Sequence, residues 1–525
     1  MTTRSADVAI VGSGFSGAIL AMILRRLGRT VVLLERGAHP RFAIGESSTP
    51  LASLLMEELA ERYDLPVLRA FTKYGAWKRE RPDVGCGLKR GFSFFRHHAG
   101  RPFGGARADN QLLVAASPND EIGDVHWYRP DFDHFLVREA QAMGVEYLDH
   151  TSLDRFEPPS APATNATLLG TREGQPIGVA ARLVVDASGP RGFLHRACTL
   201  PERALPMPGT QALFAHFTGV ARFGDVVPDA FGDTPPYPVD AAAVHHVIDG
   251  GWIWVLRFDN GITSAGLAAT DALADDLRLA DGAAAWDRML ARYPAIADQF
   301  ADACPVTAFA WQRRIAFASA RASGDGWVML PSAAGVVDPL LSTGFPLTLL
   351  GIGRVADAIA RHWDSDDLRA ALAAYAERTT RELDVTARLV SALYAAFDDW
   401  EKFSALSQLY FAAASYTESA RRLGNAVAAG DGFLLSGVPG FADGFERALT
   451  LASAGSAARG ECLGTISATI APFNVAGLDD PSKRGWYACE AGDLLDGAGK
   501  LSASRADVQA MLERCGFARG GASAS

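Results

Sequence analysis

Three short segments of this 525-residue chain carry residues whose types and spacing suit an anionic cofactor and a small anion. In Gly12-Ser-Gly14-Phe-Ser-Gly17 the glycines let the backbone turn tightly and approach a pyrophosphate. The helix that starts near Ser16 offers its free N–H groups to that charge. Glu35 closes the next apolar run 23 residues after Gly12, a spacing that suits a carboxylate accepting both hydroxyls of an adenosine ribose. Gly45-Glu46-Ser47 sets a glycine beside small polar residues, so backbone N–H groups can approach ring oxygens. Ser342-Thr343-Gly344 leads into a helix-spaced apolar segment from about Leu347 to Arg361. A small anion is well held by the amides of such a turn or helix start. Two lysines stand close together in Lys73-Tyr-Gly-Ala-Trp-Lys78. An amine walled by apolar groups has a depressed pKa and reacts in its neutral, nucleophilic form.

The elements that must position these residues are legible as periodicity. Asp7–Gly12 is a continuous apolar run, as a central parallel strand buried on both faces requires. Thr30–Glu35, Ala181–Asp186 and Gly326–Leu330 predict three further strands, the second of which leads into Ala187-Ser-Gly189. From about Ser365 the period changes: Leu368, Leu372 and Tyr375, then Leu389, Leu393 and Phe397, recur at helical spacing, and Ser404–Arg422 continues it. The small polar residues from Gly516 onward predict a disordered tail, 516–525.

Composition narrows the class. The chain is 49% hydrophobic and 21% charged, with a formal net charge of −10, which argues against a nucleic-acid partner. Its cysteines are scattered without close pairs, neither a disulfide framework nor a metal pattern, which points to a reducing cytoplasm. Trp327–Gly353 carries one charge, Asp338, over a length able to span a bilayer. Pro331, Pro339, Pro346 and four glycines make it a buried strand, loop and helix instead. The apolar run after Arg4 is likewise claimed by a strand, a turn and a helix rather than a signal peptide. No second glycine-rich strand–turn–helix is present for a nicotinamide cofactor.

In order and spacing, Gly12–Gly17, Gly45-Glu-Ser-Ser-Thr49 and Gly335-Val-Val-Asp-Pro-Leu-Leu-Ser-Thr-Gly344 resemble the flavin-dependent halogenase family, which includes tryptophan and phenol or pyrrole halogenases. The resemblance covers residues 5–360. It implies an α/β fold: a three-layer, Rossmann-like FAD domain (1–365), with insertions at about 70–180 and 200–320 building a mixed substrate-facing sheet. A helical C-terminal region (366–515) would cap the active site. It implies FAD, received as FADH2 from a flavin reductase, together with O2 and chloride or bromide. Flavin hydroperoxide and halide then give hypohalous acid, which a lysine delivers to an aromatic substrate, free or bound to a carrier protein. Lys73 matches the Lys-x-Gly-Ala pattern of phenol-type members and Lys78 the Gly-Ala-aromatic-Lys pattern of tryptophan halogenases.

The same resemblance assigns cofactor contacts to Gly12, Gly14, Gly17, Glu35, Arg41, Gly45, Glu46, Ser47, Arg129, Asp186, Gly189, Ser332, Asp338 and Gly344. It assigns the halide to Ser342, Thr343 and Gly344, and a wall between flavin and substrate to Trp252 and Trp254. Two departures stand out: Val255-Leu256-Arg257 follows the tryptophan pair where x-Ile-Pro is usual, and Pro331-Ser332 replaces Gly-Asp, removing a charge. Leu341 stands where tryptophan halogenases place a catalytic Glu, which points to the phenol or pyrrole branch. A monooxygenase or reductase without halide use, and a non-catalytic flavin-binding partner, are the rival functions.

Overall fold

A computed structural model describes residues 2–160, 165–430 and 432–517. Strand Thr2–Val11 runs parallel to Val31–Leu34 on one side and to Gln175–Asp186 on the other. Glu146–Leu148 and Trp327–Met329 extend this parallel core outward. Its central side chains, from Val8 to Ile10 and Val31 to Leu34, are buried, which is why these strands read as unbroken apolar runs. Helix Phe15–Arg26 packs against both Arg129–Ala142 and Gly344–His362. Pro346 lies in the first turn of that last helix, where no intrahelical N–H bond exists to lose.

The second sheet is mixed and built from both insertions. Its order runs Cys304–Pro305, Thr210–Thr218, Thr263–Thr270, Gly251–Arg257, Ala243–Ile248, Gly91–Arg96, Gln111–Ala115 and Trp486–Tyr487. Residues 146–180, expected in this sheet, instead complete the first one. Glu146–Leu148 is the parallel neighbour of Val31–Leu34, and the helix before it, Arg129–Ala142, forms the end of their crossover. The C-terminal region is not wholly helical either, since Trp486–Tyr487 adds a parallel edge strand to Gln111–Ala115.

One continuous apolar cluster links the first strand to helices Asp367–Ala395, Trp400–Arg422 and Arg505–Arg514. Gly516 and Phe517 close the last of these through N–H bonds to the Glu513 and Leu512 carbonyls, so they are ordered, contrary to expectation. The rest of the expected tail, residues 518–525, lies outside the described residues. Among the described residues, no helix is long and apolar enough to cross a membrane, and no cluster of metal-ligating side chains forms.

Gly266, in strand Thr263–Thr270, makes room for an indole. A Cβ there would lie 2.3 Å from Cζ2 of Trp254 and 2.4 Å from Cβ of Phe214. We expect Gly266→Val to lower stability by about 1–3 kcal/mol through overpacking, read as a drop in the thermal midpoint with altered tryptophan fluorescence.

Candidate active site

At Gly12 and Gly17 the glycine loop has no room for side chains. Gly12 has φ +101°, and a Cβ on it would lie 2.6 Å from the Ala187 backbone; one on Gly17 would lie 2.0 Å from the Gly12 carbonyl oxygen. Gly14 caps helix Phe15–Arg26 with no side-chain cap, which leaves the helix N–H groups free. Two guanidinium groups approach this point: Arg129 Nη2 lies 3.4 Å and Arg41 Nη2 4.0 Å from where a Gly14 Cβ would be. Arg41 Nε and His39 Nδ1 nearby are buried without a hydrogen-bond partner among the described residues. Free helix amides, paired cations and unsatisfied polar atoms together fit a pyrophosphate.

Glu35 follows directly after strand Val31–Leu34 and is buried. Its carboxylate accepts bonds from the Ser13 N–H (3.1 Å), the Ser13 hydroxyl (2.9 Å), the Gly37 N–H (3.0 Å) and Arg41 (3.1 Å). Burial would raise its pKa, but Arg41 and the Gly37 and Ser13 donors outweigh burial and hold it below the ordinary glutamate value. It is thus an anion held at the place where an adenosine ribose would need an acceptor.

Two carboxylates assigned to the cofactor serve the chain itself. Asp186 accepts from the Ser188 N–H (2.8 Å) and hydroxyl (2.5 Å) with one oxygen and from the Leu194 N–H (2.7 Å) with the other. It shapes the turn that presents Gly189, whose φ is +86° and beside which a Cβ position is open. Asp338 accepts from Trp252 Nε1 (3.1 Å), the Leu340 N–H (3.2 Å) and the Tyr394 hydroxyl (2.8 Å). Burial raises its pKa to about 6. Glu46 is held by one oxygen, which bonds His216 Nε2 at 2.8 Å, while its Oε2 is buried without a partner among the described residues. Ser332 sits half-buried on the short helix Pro331–Ala334.

The segment around Gly45 forms a strap over the loop. Arg129 pairs through both its Nε and Nη2 with Asp133 (2.8 and 2.7 Å), while its Nη1 donates to the Gly45 carbonyl at 2.8 Å. Opposite lies the turn before helix Gly344–His362. Ser342 has φ +54°, a left-handed conformation that costs a non-glycine residue about 1–2 kcal/mol. Thr343 caps the 19-residue helix without a side-chain bond, and a Cβ on Gly344 would meet open space. Phe345 then stacks on Trp127, ring centroids 4.2 Å apart, and touches Phe15 edge-on. The strap, the glycine-loop helix and this turn therefore meet at one aromatic cluster. Trp252 and Trp254 are both buried, 5.7 Å apart between centroids, the first fixed by Asp338 and the second bonded to Ser264. Arg257, part of the departure after them, bonds the Val220 and Ala221 carbonyls and closes that strand's end.

Neither sequence-assigned lysine is the buried amine of this region. Lys78 is 43% exposed and bonds Asp259 at 2.8 Å, and that bond raises its pKa and keeps it charged. Lys73 lies at the N-terminus of helix Tyr74–Glu80, half-buried on a cavity wall. The buried amine is Lys89, which the sequence reading passed over. Its Nζ donates to Ser47 Oγ (2.8 Å) and the Ser48 carbonyl (2.5 Å) and lies 3.8 Å from the centroid of Phe92. Burial pulls its pKa down to about 7, against the attraction of Asp124, its direct cross-strand partner. Lys89-Arg-Gly91 repeats the Lys-x-Gly spacing of Lys73-Tyr-Gly75 inside an apolar run, the one signal that could have found it.

Beyond Phe92 opens a cavity with about 1200 Å³ of atom-free space, its mouth included. Lys73, Phe92 and Asp124 form one wall, with Tyr410, Phe411 and Glu418 of helix Trp400–Arg422 opposite. Lys89 thus stands between the strap on one side and Phe92, a wall of the cavity, on the other.

If Glu35 holds the adenosine half of the cofactor, Glu35→Ala should weaken FAD on the order of tenfold, as for the loss of a hydrogen bond to a charged group. FMN affinity should stay unchanged. Fluorescence titration with both flavins checks this.

The chain is similar to known proteins over most of its length. The family described as tryptophan halogenase matches residues 125–408, and a NAD(P)-binding Rossmann-like domain family matches residues 10–79. The monodechloroaminopyrrolnitrin halogenase of Pseudomonas fluorescens is 30% identical over 411 residues, 77% of this chain and 70% of the relative. The tetracycline 7-halogenase of Kitasatospora aureofaciens is 26% identical over 422 residues, 78% and 73% of the two chains. The crystal structure of halogenase PltM shares the fold, with a TM-score of 0.79 at 23% identity over 91% of this chain and 99% of that one. With this fold, a cradle fitted to FAD and relatives matched over most of their length, the chain belongs to the flavin-dependent halogenase family and is an FAD-dependent oxidoreductase.

Proposed function

We propose that this protein halogenates an electron-rich phenolic or pyrrolic ring, free or carrier-bound, using FADH2 from a flavin reductase. In this reading Lys89, rather than Lys73 or Lys78, brings the oxidised halogen to the substrate. The observation that carries it is the position of the Lys89 amine: bonded to the strap at Ser47 and Ser48, and lying against Phe92 on the cavity wall. The bound flavin, once reduced and exposed to O2, supplies the oxidising equivalent for the halide.

The protein's own residues do the rest. Amides at Thr343 and Gly344 begin a 19-residue helix whose dipole favours a halide there. Trp252 and Trp254 form the wall that keeps the aromatic substrate from the oxidant's source. Lys89, buried away from water, gives up its proton near neutrality and offers a lone pair to the oxidised halogen. Phe92, Tyr410 and Phe411 give the substrate ring apolar faces to pack on. Leu341, fully buried, brings no carboxylate to the halide turn, so the ring must be activated by its own hydroxyl or N–H. The relatives' names, for halogenation of monodechloroaminopyrrolnitrin and of tetracycline, agree with this class.

The assay combines purified protein, flavin reductase, NADH, bromide and a panel of phenols, pyrroles and indoles, read by mass spectrometry. Phenols or pyrroles should be brominated and free tryptophan left nearly untouched. Oxygenated product without halide dependence would identify a monooxygenase instead, and efficient tryptophan halogenation would overturn the substrate class.

Lys89→Ala should lower kcat on the order of 10³-fold, as for loss of an essential proton-transfer or nucleophilic group, with flavin binding intact. Lys78→Ala should be near wild type, and Lys73→Ala should keep most activity. Full activity of Lys89→Ala together with an inactive Lys73→Ala would return the role to Lys73.

The pH dependence has a fixed sign. Below its pKa of about 7 Lys89 holds its proton and has no lone pair to offer, so kcat/KM should rise with pH through about 7. A profile that falls across that interval would contradict a neutral lysine.

A further inference from the structure

We infer that Asp124 is the general base of the reaction, accepting the O–H or N–H proton of the ring bound in the cavity beside Phe92. This rests on the halogenation reading above. Leu341 leaves the halide turn without a carboxylate, and the cavity supplies one from the other side. Asp124 is 2% exposed and lies on the cavity wall next to Lys73 and Phe92. Ser53 donates to its Oδ1 at 3.1 Å and fixes the carboxylate, while Oδ2 has no partner among the described residues. One oxygen held and the other free is the arrangement a positioned base requires.

The surrounding charges agree with the role. Burial and Glu418, on helix Trp400–Arg422, push the Asp124 pKa up, while Lys73, Lys89 and the Ser53 hydroxyl pull it down, and it comes to about 7. It can therefore both take and return a proton near neutral pH. Glu418 also faces the cavity, but its carboxylate is engaged by Arg422 at 2.8 Å. Lys89 is the residue opposite Asp124 in the ladder formed by Cys86–Lys89 and Asp124–Trp127. The base and the lysine that holds the oxidant thus belong to one short piece of sheet.

The step balances. The substrate O–H breaks, its proton passes to Asp124 Oδ2, and the electron pair left on oxygen feeds the ring. A ring carbon forms its bond to halogen as the halogen–oxygen bond of the hypohalous acid held at Lys89 breaks, the pair leaving on hydroxide. Hydroxide takes the ring proton and becomes water. Asp124 returns its proton to the product oxygen.

The test compares wild type and Asp124→Asn as FAD holoproteins, with reductase, NADH and bromide, on two phenols. One phenol is neutral at the assay pH. The other is polyfluorinated, has a free ring position and is fully ionised. For the neutral phenol kcat/KM should fall on the order of 10²-fold in the variant, the usual effect of losing a general base, and for the ionised phenol it should fall by no more than about threefold. Equal losses on both phenols, or no loss on the neutral one, would overturn the inference. Should Asp124→Asn fail to retain FAD, the wild type decides: the acidic limb of kcat/KM must be steeper for the neutral phenol, and identical limbs overturn the role. A flavin-loaded wild type that brominates neither phenol overturns the halogenation reading itself, and Asp124's role with it.

Discussion

The site depends on keeping one amine out of water. Lys89 has two oxygen partners and an aromatic face where an ammonium in solution would have a full hydration shell. Burying charge on those terms is expensive, so the amine moves toward its neutral form. The sheet holds it there. The strap joins the free edge of strand Asp124–Trp127: the Trp127 N–H donates to the Glu46 carbonyl (2.7 Å) and the Ser48 N–H to the Val125 carbonyl (3.2 Å). Across the strand's other edge lies Cys86–Lys89. Strap and lysine are therefore positioned by the same three-stranded unit, and a shift of one displaces the other.

A second post is Asp338. It ties the Trp252 indole from the mixed sheet, the turn ahead of helix Gly344–His362, and Tyr394 from helix Asp367–Ala395. Three parts of the chain far apart in sequence are thereby fixed around one buried carboxylate. That network also explains how a left-handed Ser342 is tolerated two residues after a bonded Leu340 N–H: the turn is held from both sides. The C-terminal helices are then part of the site's construction, since they supply both Tyr394 and the far wall of the cavity.

The parts legible in the sequence are those determined by local chemistry. The glycine loop, the strand leading into Glu35 and the helix tolerant of Pro346 follow from turn geometry, apolar runs and first-turn rules, and they occur as read, with the strand itself ending at Leu34. What escaped reading depends on pairing across distance. Lys89 is an ordinary strand lysine until Asp124–Trp127 lines up beside it, whereas Lys73 and Lys78 drew attention by local pattern alone. Asp186, Asp338 and Glu46 look like free acids in sequence, and only the fold shows Asp186 and Asp338 engaged by Leu194 and Tyr394 and one oxygen of Glu46 by His216. Trp486–Tyr487 is too short to read as a strand, and it exists because Gln111–Ala115 offers an open edge.

The most direct test of this account is the ionisation of Lys89 itself. In protein labelled at lysine 13Cε, with Lys89→Met used to assign the signal, the chemical shift can be followed across pH in the flavin-loaded protein. The account predicts a titration near pH 7, far below that of the exposed lysines. A Lys89 signal that titrates with the exposed lysines near their ordinary value would contradict it. It would mean that the amine between strap and cavity carries a permanent charge and cannot act as a neutral carrier of halogen.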